Sequence, residues 1–248
     1  MGSSCGKIMT RVVISQPRYL PFLGYIQRLY WADIFVFLDN VQRQYRGFEN
    51  RNKILVGSHT KWLSIPITSS KFAMINDSLI DGYTWLDEHQ RKIIEAYKKH
   101  PFFDSFYINK YYENLPETLK EEGFDYSKTL LKLINNLANI FEFKANTVRA
   151  SQLDIPACKG VENLFNICES VGASVYISGS NGRNYGVKSY FQDRGKRVVF
   201  HDSKPHIYAQ FGNLGDFVPF LCFFDPLYNL GYSEVKSLIL QPLELSEV

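Results

Sequence analysis

Ile14–Asn52 reads ISQPRYLPFLGYIQRLYWADIFVFLDNVQRQYRGFENRN, and the fold class is decided in it and the two residues before it. Val12-Val13-Ile14 is a short β-branched run of the kind that forms a buried strand. Pro17 ends that run, since it lacks the N–H a sheet ladder needs and biases Gln16 towards an extended backbone. Pro21 falls at the expected first position of a helix, where a missing N–H costs nothing. Phe22, Ile26, Leu29 and Tyr30 then recur at helical spacing, and Ala32-Asp33 closes the segment. Ile34–Leu38 is apolar throughout and suits a strand covered on both faces. Strand, helix and strand in close succession are the sequence form of a βαβ unit. The expected fold is therefore α/β, a mainly parallel sheet flanked by helices.

The rest of the chain fits that frame. Lys61–Ile67 reads as an edge strand or an extended arm because it contains Pro66. Thr84 opens a helix, capped by its hydroxyl with Asp87 completing a loose capping box, and Pro101 stops it. A second helical stretch, 106–120, contains Pro116 and should break there. Lys128–Phe141 carries the cleanest apolar stripe, with Asp125 or Ser127 as cap. These helices, about 84–141, either form an inserted bundle or cover one sheet face. A further helix at 161–171, a strand at 174–177, a glycine-containing loop at 178–185, a helix at 187–193 and a strand at 197–200 repeat the α/β alternation. One α/β domain over 11–248 is expected, with 1–10 disordered.

Composition excludes several classes. The net charge is +3 over 248 residues, with no basic stripe, so nucleic acid is not an expected partner. The four cysteines are widely spaced, with no C-x-x-C, which argues against a structural metal and fits a reducing compartment. No apolar run approaches the roughly 18–20 residues of a membrane span. A soluble, cytoplasmic protein is expected.

Three polar clusters are candidates for chemistry. In parallel sheets, ligands bind beyond the carboxyl ends of the strands. Gln16, Asp39, Gln42, Asn50, Arg51 and Asn52 follow the first two strands, and Tyr19 lies between them. The second cluster is Ser178, Gly179, Arg183 and Tyr185, where glycines after a strand let backbone N–H groups approach an anion. The spacing is neither G-x-G-x-x-G nor G-K-[ST], so a turn that needs two glycines remains an equal reading. The third is His206, Gln210 and Asp225; Asp225-Pro226 also suits a helix cap followed by a first helical residue. Metal-ligand and nucleophile-elbow motifs are absent.

Several of these residues carry a resemblance. Gln16-Pro17, Tyr19-Leu20-Pro21, Gly24-Tyr25, Ala32-Asp33, Phe35-Val36, Asp39, Val41-Gln42 and Asn50-Arg51-Asn52 resemble the opening signature of the WbqC-like protein family. Trp62–Ile67, Ser178-Gly179 with Tyr185, and Asp225 with Asn229 and Gly231 resemble its later segments. Tyr208-Ala209-Gln210 resembles its Tyr-Pro-Gln, with alanine replacing proline, and Cys222-Phe223-Phe224 departs from its usual Ser-Ile-Leu. The likeness runs from about Val12 to Gly231. A weaker resemblance is to HUP-type nucleotide-binding enzymes such as pantothenate synthetase, whose His-x-Gly-His is missing here.

The first resemblance implies a place in O-antigen or other surface-polysaccharide biosynthesis. Such pathways N-acylate amino sugars carried on nucleotides. The implied function is transfer of an acyl or aminoacyl group to the amine of a nucleotide-linked amino sugar. Asp39 or His206 would take a proton from the attacking ammonium, because amide formation needs a neutral amine. Gln16, Tyr19, Gln42, Asn50, Arg51, Asn52, Ser178, Gly179, Arg183, Tyr185, Gln210 and Asp225 would bind substrate. An ATP-dependent amide ligase or nucleotidyltransferase-like enzyme, and a non-catalytic sugar-nucleotide binding or scaffold protein, are the alternatives. Cofactor and oligomeric state stay open.

Overall fold

The computed structural model describes residues 9–44, 47–70 and 72–247. The chain opens with β1 (Arg11–Ser15), α1 (Leu23–Trp31) and β2 (Ile34–Phe37), the βαβ unit that the apolar pattern predicts. Pro21 is not the first helical residue. Phe22, with extended backbone, is the N-cap of α1, and Pro21 precedes it. Of the expected disordered stretch, residues 1–8 lie outside the described residues. The Thr10 carbonyl already accepts from the N–H groups of Ser174 and Val175.

A hairpin follows, β3 (Arg51–Val56) and β4 (His59–Ser64), paired antiparallel. The expected edge strand is thus shifted two residues earlier. Its partner β3 begins Arg-Asn-Lys, a polar run that hides the strand, while Ile54 and Leu55 are buried. Four helices come next: α2 (Thr84–Tyr97), α3 (Ser105–Tyr111), α4 (Leu115–Glu121) and α5 (Tyr126–Ile140). Thr84 does not cap α2; Tyr83 holds that position without a side-chain bond. The break before Pro116 does occur, at Asn114, whose φ is 58°. Asp125 caps α5, its carboxylate accepting from Lys128 N at 2.8 Å. The chain ends with β5 (Thr147–Arg149), α6 (Gly160–Ser170), β6 (Val175–Gly179), α7 (Val187–Gln192), β7 (Arg197–His201), α8 (Phe224–Leu230), α9 (Tyr232–Leu240) and β8 (Leu245–Ser246). Ser180–Tyr185, expected as an open loop, winds into 3-10 turns.

The main sheet has the order β5-β2-β1-β6-β7-β8, parallel except for β8. This is the Rossmann-like order, and it reverses between β1 and β6. Alternate residues of each strand face opposite layers. Val13, Phe35, Phe37, Ile177 and Val199 join a core with α1–α5, α8 and α9. Val12, Ile14, Val36, Tyr176 and Phe200 join a second core with α6 and α7. Of the two readings of 84–141, the segment shares its core with the sheet face and α1. Among the described residues, no helix is long and apolar enough to cross a membrane.

The link from β1 to α1 is strained. Leu20 is buried with φ at 48°, a region that disfavours a bulky side chain. Three contacts hold it there. The Leu20 N–H donates to Tyr111 OH at 3.1 Å, its carbonyl accepts from Asn52 Nδ2 at 2.6 Å, and Tyr19 N–H donates to the Glu49 carbonyl at 3.0 Å. In urea unfolding, Asn52→Ala should lose roughly 1–3 kcal/mol, because it leaves the buried Leu20 carbonyl unpaired. Asp125→Ala should lose about 1 kcal/mol, as expected for one helix cap.

Candidate functional site

Asp39 lies two residues beyond β2 and is fully buried. Its Oδ2 accepts from Arg149 Nε at 2.7 Å, Ser127 Oγ at 2.7 Å and Ser151 Oγ at 2.8 Å. Its Oδ1 accepts from Ser151 N at 2.9 Å. A carboxylate has about four lone-pair sites, and the three donors on Oδ2 and one on Oδ1 use most of that capacity. Asp39 therefore ties the ends of β2 and β5 to the start of α5. In the fold the Asp39 carboxylate, expected as a proton acceptor, is engaged as this anchor, with three donors on Oδ2 and one on Oδ1.

Around this anchor stand buried polar atoms without hydrogen-bond partners: Arg43 Nε, Glu49 Oε2, Asn76 Oδ1 and Tyr126 OH. They share one neighbourhood. Asn76 N donates to the Asp39 carbonyl at 2.9 Å, and the Arg43 guanidinium lies 6.0 Å from the Tyr126 ring centre. Burial pushes the Tyr126 hydroxyl well above its usual range, the Glu49 charge adds to this, and Arg43 opposes it. Glu49 is buried, with Oε1 held by Gln44 N at 3.1 Å. Buried polar atoms are nearly always paired, so several orphans in one place mark a surface that a polar ligand would complete.

A cleft of about 940 Å³, lined in part by Asn76, opens at the carboxyl ends of β2 and β5. Asn40, Gln42, Asn76, Ser151, Lys159 and Asn163 supply polar groups to its wall. The amides of Asn40 and Asn163 pair reciprocally, both at 3.3 Å. A second cavity of about 290 Å³ lies beyond β7, with His201, Lys204, His206 and Tyr208 on its rim. We favour the cleft, since the unpaired Asn76 Oδ1 belongs to its wall residues and its volume suits a small-molecule ligand. Among the described residues, no group of three His, Cys, Asp or Glu side chains is placed to hold a metal ion.

The other sequence candidates divide. Gln16 follows β1 and Gly179 ends β6, the two strands at the order reversal, and Gln42 borders the cleft. Asn50 and Asn52 brace backbone: Asn50 Nδ2 donates to Ile65 O at 3.0 Å, and Asn52 holds Leu20. Arg51 stacks on Trp62, 4.2 Å from its ring centre. Tyr19 is buried, its hydroxyl bonded to His89 Nδ1 at 2.8 Å and to Tyr112 OH. Ser178 is buried and bonds to the Gly179 carbonyl at 3.1 Å. Arg183 forms a forked ion pair with Asp202, and Tyr185 is 69% exposed. His206 is exposed on the rim of the smaller cavity. Gln210 Nε2 donates to Val218 O at 2.9 Å and to Asp225 at 3.3 Å.

Asp225 is not a cap. It lies inside α8, buried, accepting from Tyr97 OH at 3.2 Å and Tyr208 OH at 2.6 Å. Burial raises its pKa, and these bonds oppose the rise. Sequence reasoning placed Arg43 in the polar cluster after the second strand, read Ser127 only as a helix cap, and missed Arg18, Arg28, Glu49, Tyr126, Arg149 and Ser151. Arg28 alone had a signal, being a charge three residues after Tyr25 on the apolar stripe of α1.

The sequence model of the WbqC-like protein family matches residues 16–237. A relative from Mycobacterium tuberculosis, the uncharacterized protein Rv1507c, is 27% identical over 226 residues. The match covers 90% of this chain and 95% of that protein. No solved structure matches.

Replacing one partner of the Asp39–Arg149 pair leaves a buried charge. Asp39→Asn should therefore lose about 3–5 kcal/mol in urea unfolding. Burial depresses the pKa of His89 and His201 to about 4 from 6.5. Below 6.5 the unfolded chain takes up protons that the fold does not. Stability should thus fall as pH drops from 6.5 towards 4, by at most about 1.4 kcal/mol per pH unit for each histidine. His89→Gln should remove its share of that slope, read from unfolding midpoints across the range.

Proposed function

The chain belongs to the WbqC-like protein family, and from that membership and the polar edge of the sheet we propose that it transfers an acyl or aminoacyl group to the amine of a nucleotide-linked amino sugar in surface-polysaccharide biosynthesis. The observation that carries the proposal is the set of unpaired buried atoms on Arg43, Glu49, Asn76 and Tyr126, of which Asn76 lines the 940 Å³ cleft. In this reading the cleft takes the sugar nucleotide, with Asn40, Gln42, Lys159 and Asn163 as its polar contacts. Nucleotide-activated sugars place the work in the cytoplasm.

The step needs a neutral amine. Glu49 has one oxygen held and the other unpartnered, which is the arrangement a proton acceptor requires. It takes the proton from the substrate ammonium. The freed amine attacks the acyl carbonyl, the bond to the donor's leaving group breaks, and the proton passes to that group. Desolvation at the buried carboxylate strengthens its pull on the cation.

The sheet order supports a second reading, since it is that of nucleotide-binding enzymes: an ATP-dependent ligase that activates the acyl group first. Both readings meet in a thermal-shift screen of nucleotide-linked amino sugars, ATP with Mg²⁺, acyl-CoA species and amino acids. A ligand at 100 times its Kd adds about 2.7 kcal/mol. Stabilisation by the sugar nucleotide and not by ATP is expected, and stabilisation by ATP with Mg²⁺ would favour the ligase. Glu49→Gln should keep sugar-nucleotide binding within about threefold and lower turnover by at least 10²-fold, the scale of a lost general base. Unchanged pathway output with this variant would mean a binding or scaffold protein instead.

A further inference from the structure

Arg28 is a charge inside a core. It is 8% exposed, on the buried stripe of α1 between Ile26 and Leu29. Among the described residues no carboxylate pairs with it, and its buried Nε has no hydrogen-bond partner. Its neighbours do not neutralise it. The guanidinium carbon lies 5.9 Å from the centre of the Tyr25 ring, and Arg18 lies at the same distance from that ring. Burial first, and then the Arg18 charge, lower the Arg28 pKa to about 10; the Tyr25 and Tyr176 hydroxyls act weakly the other way. His201, the titratable group at the end of β7, is held neutral by burial and by Arg28 itself. Among the described residues, the carboxylate that acts on the Arg18 charge is that of Glu49.

The guanidinium is aimed. Its Nη1 would stand 2.6 Å from a β-carbon on Gly179, the last residue of β6. Glycine there lets the cation lie against main chain at the carboxyl end of the strand. β1 and β6 are the neighbours between which the strand order reverses, the crevice where open α/β sheets take their ligands. An unpaired buried guanidinium is costly to keep, and an anion with several acceptor oxygens relieves that cost through charge-assisted bonds.

We propose that Arg28, assisted by Arg18, forms a binding site for a phosphoryl group at the junction of β1 and β6. Two guanidinia against one carboxylate leave a net positive site, and a phosphate ester brings close to two negative charges with several acceptor oxygens. The site requires nothing of the transfer reaction and stands whether or not Glu49 accepts a proton.

The test is isothermal titration of the full chain with inorganic pyrophosphate, phosphate, acetate and glycine in chloride-free buffer. Saturable binding of pyrophosphate is expected, at least tenfold weaker in Arg28→Gln. That variant, free of ligand, should melt at the wild-type temperature or above, because it removes an unpaired buried charge. A merely structural Arg28 predicts the opposite: a lower melting temperature and unchanged affinity. Gly179→Ala adds a methyl group where Nη1 lies, and its φ of −71° accepts alanine without strain. It should also weaken pyrophosphate at least tenfold, and it carries the test if Arg28→Gln does not fold. Absent pyrophosphate binding, equal affinity in the folded variants, or binding of carboxylates in place of phosphates would each overturn the assignment. Loss of pyrophosphate binding in Arg28→Gln with the Glu49 results unchanged would separate this site from the proposed reaction.

Discussion

The buried ion pair between Asp39 and Arg149 fixes the working edge of this protein. It joins the carboxyl ends of β2 and β5, and through Ser127 it reaches the first turn of α5. Four hydrogen bonds to Asp39 offset part of the cost of taking the two charges out of water. The wall of the cleft hangs from this anchor: Ser151 is both a partner of Asp39 and a lining residue, and Asn40 follows directly in the chain. A site that must hold small polar groups in fixed positions needs rigid support behind it, and this network supplies that support.

A different economy governs the layer in front of it. Arg28, Arg43, Glu49 and Tyr126 are buried polar groups whose hydrogen-bonding capacity is not exhausted by the fold. Each costs stability as it stands, and a core of this size, rich in well-paired tyrosines, can carry that cost. Tyr19, Tyr97, Tyr111 and Tyr208 show the contrast, for all are at least half-buried and every hydroxyl has a partner. The strained Leu20 turn belongs with the costly groups, since it joins β1 to α1, the elements that bring Gln16 and Arg28 to the switch point.

Period made most of the fold legible. Val12–Ile14 and Ile34–Leu38 are too apolar to be half-exposed strands, and the stripes of α1 and α5 recur at helical spacing. β3 escaped because Arg51-Asn52-Lys53 masks the alternation, and the helix start misjudged at Pro21 is a boundary, where local preference is weakest; the start at Thr84 is as expected, though Thr84 is not its cap. The site was legible only in outline. Sequence placed Gln16, Asp39 and Gln42 near the strand ends, but Asp39 meets Arg149 across 110 residues, and no local pattern reports such a partner. Asn50 and Asn52 read as ligands because they are polar and close together, whereas their amides brace backbone. Asp225 looked like a cap because Pro follows it, yet its carboxylate is taken up by Tyr97, Tyr208 and Gln210.

These exchanges of role share one physical cause. A polar residue at a strand end can serve the backbone, another side chain or a ligand, and the three differ in what else lies within about 3 Å. Composition and spacing carry no information about that. Satisfaction does: Asp39, Asn50, Asn52 and Asp225 have their bonds within the fold, so a substrate would have to compete for them. Glu49 Oε2 and Arg28 Nε have none, so a ligand meets no competitor there. Both Glu49, with its unpartnered Oε2, and Arg28 interact electrostatically with Arg18. An ammonium-bearing, phosphate-bearing molecule offers one group to each, and that pairing of opposite charges is the chemical feature an amino sugar on a nucleotide would present to this edge.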